Sequence, residues 1–225
     1  MDITLIDDEI SDRDYELKEE EELTLNLAFF DVFKPCKINV TVGKNATLNA
    51  AFADFGKGEG VFEINVYLNE EGATCNFHSS CLAANEDKKV FDTSVFHNAP
   101  RTSALMSNYG ITRDHGRLLF AGISEIKKGS VGAATRQEAK IIVFDPECKG
   151  SCSPSLKIDE NEVVASHAAT VGRLNEQHLF YLLSRGIDEQ QAKRLITLGH
   201  LKPVEQYFID PELRQRIDKT IDEGI

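Results

Sequence analysis

The sequence predicts a mainly β chain that ends in helices, and three observations carry that reading. Across residues 23–171, short β-type runs are broken by glycine, asparagine and charged turns, with no helix-period stretch between them. Several runs alternate cleanly, as Leu23, Leu25 and Leu27 do against Thr24 and Asn26. After Gly172 the apolar spacing changes to that of a helix.

The runs are LTLNLAFF (23–30), KINVTV (37–42), ATLNAAF (46–52), VFEINVYL (61–68) and TCNFHSSCL (74–82). VFDTSVFH (90–97), RLLFAGISEI (117–126), AKIIVF (139–144), SLKI (155–158) and EVVASHA (162–168) follow. Short strands this closely spaced fit a sandwich, a barrel or a β-solenoid. No strict sequence repeat is present, so periodicity does not choose among them. Residues 163–171, β-branched and small with His167 at the centre, are expected as a buried strand.

Three helices follow. The first covers residues 175–185, with Asn175 as N-cap, Leu179, Leu182 and Leu183 at helical spacing, and Gly186 as its stop. The second opens at Asp188, with Gln191 three residues on and Ala192, Leu195 and Ile196 on one face before Gly199. The third opens at Asp210–Pro211 and carries Leu213, Ile217 and Ile221. Helices this short cannot bury their apolar faces alone, so the tail is expected to pack on the β core, on a partner, or on both.

The chain's 225 residues suffice for a substantial core. A net charge of −12 argues against nucleic acid or an anionic membrane as the main partner. Residues 1–22 hold eleven acids and two bases. They read first as a solvated, frayed arm, and alternatively as an electrostatic guard or docking segment. No apolar run approaches the roughly 20 residues of a membrane span, and no basic-then-apolar leader opens the chain. A cytosolic, reducing setting is the expectation, in which the five irregularly spaced cysteines are free thiols.

Cys148 and Cys152 form a C-x3-C pair, expected on a loop flanked by proline and glycine. Thiolates suit iron–sulfur clusters and zinc, but two make half a site. His167 is either a packed core or interface residue or an iron-competent ligand. Cys75 and Cys81 share one face of their strand and His78 points to the other, which disfavours a joint site. His97, Arg101 and Thr102 fall around the turn formers Asn98 and Pro100. GxxxxGK[ST], a nucleophile elbow and HExxH are all absent, so the chain is expected to bind no nucleotide by a P-loop and to catalyse no reaction itself.

SHAATVG (166–172) and LFYLLSRGI (179–187) resemble the C-terminal signature of the SufB/SufD proteins, subunits of the SUF iron–sulfur assembly machine. Looser similarity runs through HNAPRTSA (97–104), GRLLFAG (116–122) and KGSVGAATRQEAKIIV (128–143). The resemblance implies a right-handed parallel β-helix core and a C-terminal α-helical segment that docks the ATPase SufC. It further implies contact of the core with a second copy or a SufB-like subunit. On this reading residues 1–22 are an acidic arm, 23–172 the core and 173–225 the docking segment. His167 matches the family histidine implicated in cluster assembly at the SufB–SufD interface, so a transient iron–sulfur cluster is the expected cargo, with Cys148 and Cys152 as further candidate ligands. Phe180, Tyr181, Arg185 and Gly186 are the candidate docking residues. The SufB scaffold cysteine would fall near residues 137–139, where this chain has none, and Ala168 stands where SufB has glutamate. Both departures point to the SufD side. An all-β binding module with a helical dimerisation tail and no metal is the alternative, and a carbohydrate-active solenoid, lacking carboxylate clusters or tryptophan, is the weakest reading.

Overall fold

The computed structural model describes residues 1–223. Thirteen strands form two wholly parallel sheets. One sheet holds β1 (Asp2–Ile6), β3 (Glu22–Phe29), β5 (Thr47–Asp54), β7 (Thr74–Ala83), β9 (Ser103–Thr112), β11 (Ala134–Val143) and β13 (Val164–Arg173), in that order. The other holds β2 (Arg13–Leu17), β4 (Cys36–Val42), β6 (Glu59–Leu68), β8 (Lys88–His97), β10 (Arg117–Ile126) and β12 (Lys149–Ile158). The chain alternates between the sheets and each strand pairs with the one two further on, which makes a β-solenoid of about six coils.

Continuous register takes the place of a sequence repeat. In one lumen column Cys36, Phe62, Phe91, Phe120 and Cys152 are successive partners, and the three phenylalanine rings follow one another, tilted, at centroid spacings of 5.9 Å. Facing it, Leu25, Ala50, Phe77, Met106, Gln137 and His167 form a column that starts apolar and ends polar. Burial of these large side chains supplies the main stabilisation at the early coils.

Residues 1–22 are not a frayed arm. They supply β1 and β2, the first strand of each sheet, and their acids are put to structural use. The Asp7 carboxylate accepts the backbone N–H groups of Phe30 and Asp31, Asp12 accepts that of Lys37, and Lys34 and Lys44 pair with Asp8 and Glu19. β9 is a further strand beyond those expected, because Ser107, Asn108 and Gly110 interrupt its apolar pattern.

Three α-helices follow β13: α1 (Glu176–Ser184), α2 (Glu189–Leu201) and α3 (Pro211–Glu223). Asn175 and Asp188 cap α1 and α2 as expected. Gly199 does not end α2, which continues to Leu201 and then tightens into a 3-10 segment, Lys202–Tyr207. Leu201, Val204, Phe208, Leu213, Ile217 and Ile221 cover Ala28, Ala51, Ala53 and Ile111 on the outer face of the seven-stranded sheet. Small residues on the sheet let the helices approach closely. Asn26 fixes this helical strap, residues 189–223, at its far end, donating to the Tyr207 carbonyl and accepting from the Ile209 N–H, and Arg216 lies over the Phe30 ring at 3.8 Å.

Candidate functional site

β12 and β13 are the terminal strands of their sheets, so the last coil of the solenoid is open. β13 is therefore not the buried strand expected of its composition. Only Ala165 is half-buried, and His167, Ala169 and Val171 are exposed although they continue lumen columns. No later coil covers them, and the helical strap lies elsewhere, over the alanines of the earlier coils.

Of the cysteine pair, Cys148 lies on the expected loop, but Cys152 does not. Cys152 lies within β12, half-buried at the open end of the phenylalanine column. A terminal strand accommodates Pro154 because one of its edges is free of pairing. Cys148 lies just before β12, buried, with its thiol donating to the Asp145 carbonyl at 3.1 Å. Burial pushes the Cys152 thiol up to about 11 and those of Cys36 and Cys75 up to about 12, so all three are protonated at neutral pH. Among the described residues, no three His, Cys, Asp or Glu side chains converge as a metal site. His167, Cys148 and Cys152 belong to the last turn and coil but form no closed ligand set. Among the described residues these donors do not make a complete site.

Beneath this end the lumen is polar. Gln137, directly under His167 in register, donates from Nε2 to the Ser124 hydroxyl at 2.9 Å, and Thr135 reaches the same hydroxyl at 3.0 Å. Gln137 Oε1 is buried without a partner. Nothing in the strand pattern marked these residues, since β11 was expected to begin only near Ala139.

α1 touches α2 but buries no residue; Phe180 is 71% and Tyr181 57% exposed. Arg185 folds back over the Tyr181 ring at 5.2 Å. Gly186, at φ +86°, closes the helix: its N–H reaches the Leu183 carbonyl and that of Ile187 the Leu182 carbonyl, a Schellman pair that needs the left-handed residue.

His97 and His78 are structural. His97 is fully buried, sharing a hydrogen bond of 2.8 Å with Thr102 across the turn that HNAPRTSA makes. His78 stacks flat on Tyr207, with centroids 3.6 Å apart, and holds the strap to β7. Burial lowers both from the usual 6.5 to about 4. The unfolded chain therefore binds more protons between those values, and the two histidines stabilise the fold above pH 6.5 and progressively less down to about 4. Buried Asp54, raised to about 6, acts oppositely in the same window, but as one group against the histidines, which His200, also lowered by burial, joins. The urea midpoint is expected to fall between pH 7 and pH 5. His78→Phe, which keeps a ring against Tyr207, is expected to flatten that slope; an unchanged slope would remove His78 from the account.

The fold is a parallel β-solenoid with an open polar end and C-terminal helices, and comparison with known proteins gives the family. The family model for the SUF system FeS cluster assembly SufBD core domain matches residues 24–200. The chain belongs to the SufB/SufD family of iron–sulfur cluster assembly proteins. It is 30% identical over 162 residues to the iron–sulfur cluster assembly protein SufD of Bacillus subtilis, covering 72% of this chain and 37% of that protein. It is 29% identical over 139 residues to a SufBD family protein of Staphylococcus saprophyticus, covering 62% of this chain and 30% of that one. The chain thus spans about a third of the length of these curated relatives. No helix among the described residues is long and apolar enough to cross a membrane.

Proposed function

We propose that this chain is a SUF assembly subunit that docks a SufC-type ABC ATPase through α1 and offers half of a cluster-assembly site at its open coil. The observation that carries the reading is the bare aromatic face of α1, Phe180 and Tyr181, on a chain of this family. Rigid, exposed aromatics beside an arginine are the composition of an interface hot spot. Arg185 and Gly186 complete the surface by fixing how the helix ends. The core partner, a second copy or a SufB-like subunit, meets the open coil. His167 then serves with Cys152 and Cys148 as the candidate ligands for an iron–sulfur cluster that passes through as cargo. Thiol ligation releases a proton, so cluster binding by Cys152 grows tighter as pH rises. Closure of an ATPase pair on two such helices would shift one core against the other and open or assemble the shared site.

Co-purification with the SufC-type ATPase tests the docking half. Tyr181→Asp is expected to weaken the complex by about 2 kcal/mol or more, roughly 30-fold. Undiminished binding by that variant, or none by the wild type, overturns it. Anaerobic iron–sulfide reconstitution of the complex tests the other half: cluster absorbance is expected with a second core present and lost in His167→Ala. Cluster retained in that variant removes His167 as a ligand.

A further inference from the structure

We propose that Gln137 is a positioning residue for His167: its Oε1 accepts the N–H of one imidazole nitrogen and turns the other nitrogen out of the open coil. The inference deepens the reading of His167 as a cluster ligand and rests on it for its purpose, though not for its test.

Three observations converge. Gln137 and His167 are direct register partners on β11 and β13, so their backbones are about 4.8 Å apart. Parallel partners point to the same face, and here that face is the lumen. Gln137 is 5% exposed and held from the far side, its Nε2 donating to Ser124, which Thr135 in turn braces. With Nε2 on Ser124, Oε1 is the free end. That Oε1 has no partner, and a buried carbonyl left unpaired is costly enough to need a donor. The neighbouring coil-mates offer none: Met106 lies on one side in the column and His167 on the other. A side-chain rotation of His167 into the lumen supplies the missing N–H. An imidazole whose one nitrogen donates to a fixed acceptor has its tautomer and ring plane set, and its second nitrogen becomes the ligand.

One competitor exists. A void of about 10 Å³, lined by Gln137, Thr93, Asn108, Gly122 and Pro154, is at the lower limit for a single water, which would satisfy the same oxygen.

The test uses the whole chain, metal-free and with chelator present, labelled with ¹⁵N-histidine. Long-range ¹H–¹⁵N spectra at pH 8 report each ring's tautomer, and the His167 signals are assigned by their loss in His167→Asn. In the wild type His167 is expected in one dominant tautomer. Gln137→Leu, which lacks the acceptor, and Gln137→Asn, which keeps the amide but is one methylene too short, are expected to give the mixture of a free imidazole. Gln137→Glu keeps an acceptor at full reach and is expected to restore the single tautomer. His178, on exposed α1, stays unchanged throughout. A His167 ratio identical in the wild type and in Gln137→Asn or Gln137→Leu overturns the proposal and leaves the oxygen to water. Gln137→Asn keeps the test decisive if the leucine variant does not fold. Because neither metal nor ATPase is present, this result is independent of whether a cluster is assembled.

Discussion

Lys89→Met is expected to lower the unfolding free energy by about 3–5 kcal/mol, read as a drop in urea midpoint at unchanged slope. Lys89 and Asp54 are both fully buried and 2.8 Å apart. The ammonium has three donors, and each is used, on Asp54 Oδ2, on the Leu82 carbonyl at 2.7 Å and on the Gly56 carbonyl. Burial already raises the Asp54 carboxyl to about 6 despite the lysine beside it. Removing the cation leaves a buried acid and two carbonyls without their partner, and that loss far exceeds what the methionine's apolar contact returns. The double variant Lys89→Met/Asp54→Leu is expected to recover much of the loss, since an apolar pair of similar volume often replaces a buried ion pair at little net cost. A single variant within 1 kcal/mol of the wild type would show that the pair contributes nothing.

Gly122→Ala is expected to cost about 3 kcal/mol or more by the same measurement. Gly122 lies in β10 at φ +149°, and a Cβ there would sit 1.9 Å from the Thr93 carbonyl oxygen of the preceding coil. The pairing of β10 with β8 skips Gly122 and Ile123, while on the other side Gly122 still registers with Pro154. Backbone contact of this kind cannot be relieved by turning a side chain. Gly129→Ala is the control: it shares a positive φ, +94°, but has nothing within 4 Å, so only the conformational cost of about 1 kcal/mol applies. Equal losses at the two positions would mean that the close approach is not what demands glycine at 122.

Much of this architecture was legible because alternation is written into the early strands. Leu23, Leu25 and Leu27 announce β3 without help. The solenoid itself was not legible from period, because successive coils share shape and not sequence: Phe77, Met106 and Gln137 occupy one column. That step came from resemblance. β1 and β2 were hidden by their acids, whose role as acceptors for backbone N–H groups of the next coil leaves no hydropathy signal. Lys89 was hidden for a related reason. A charged residue at the start of a run reads as the strand's solvated end, and its partner Asp54 is 35 residues away. At the candidate site, His167 and the cysteine pair were visible as residue types, but Pro154 disguised β12 as a loop and the small residues of β13 disguised an edge as a core.

The strap has a mechanical meaning. A stack of coils loaded at one end fails by peeling, one hydrogen-bonded rung at a time, each rung resisting alone. Here the segment beyond α1 crosses the sheet and is riveted near its opposite edge, through Asn26, Phe30 and an Arg216–Asp7 ion pair of 3.6 Å. Tension applied at α1 is therefore divided between β13 and the first coils. The sheet is loaded in shear across its whole width, and a projecting helix of nine residues becomes a handle on the entire solenoid.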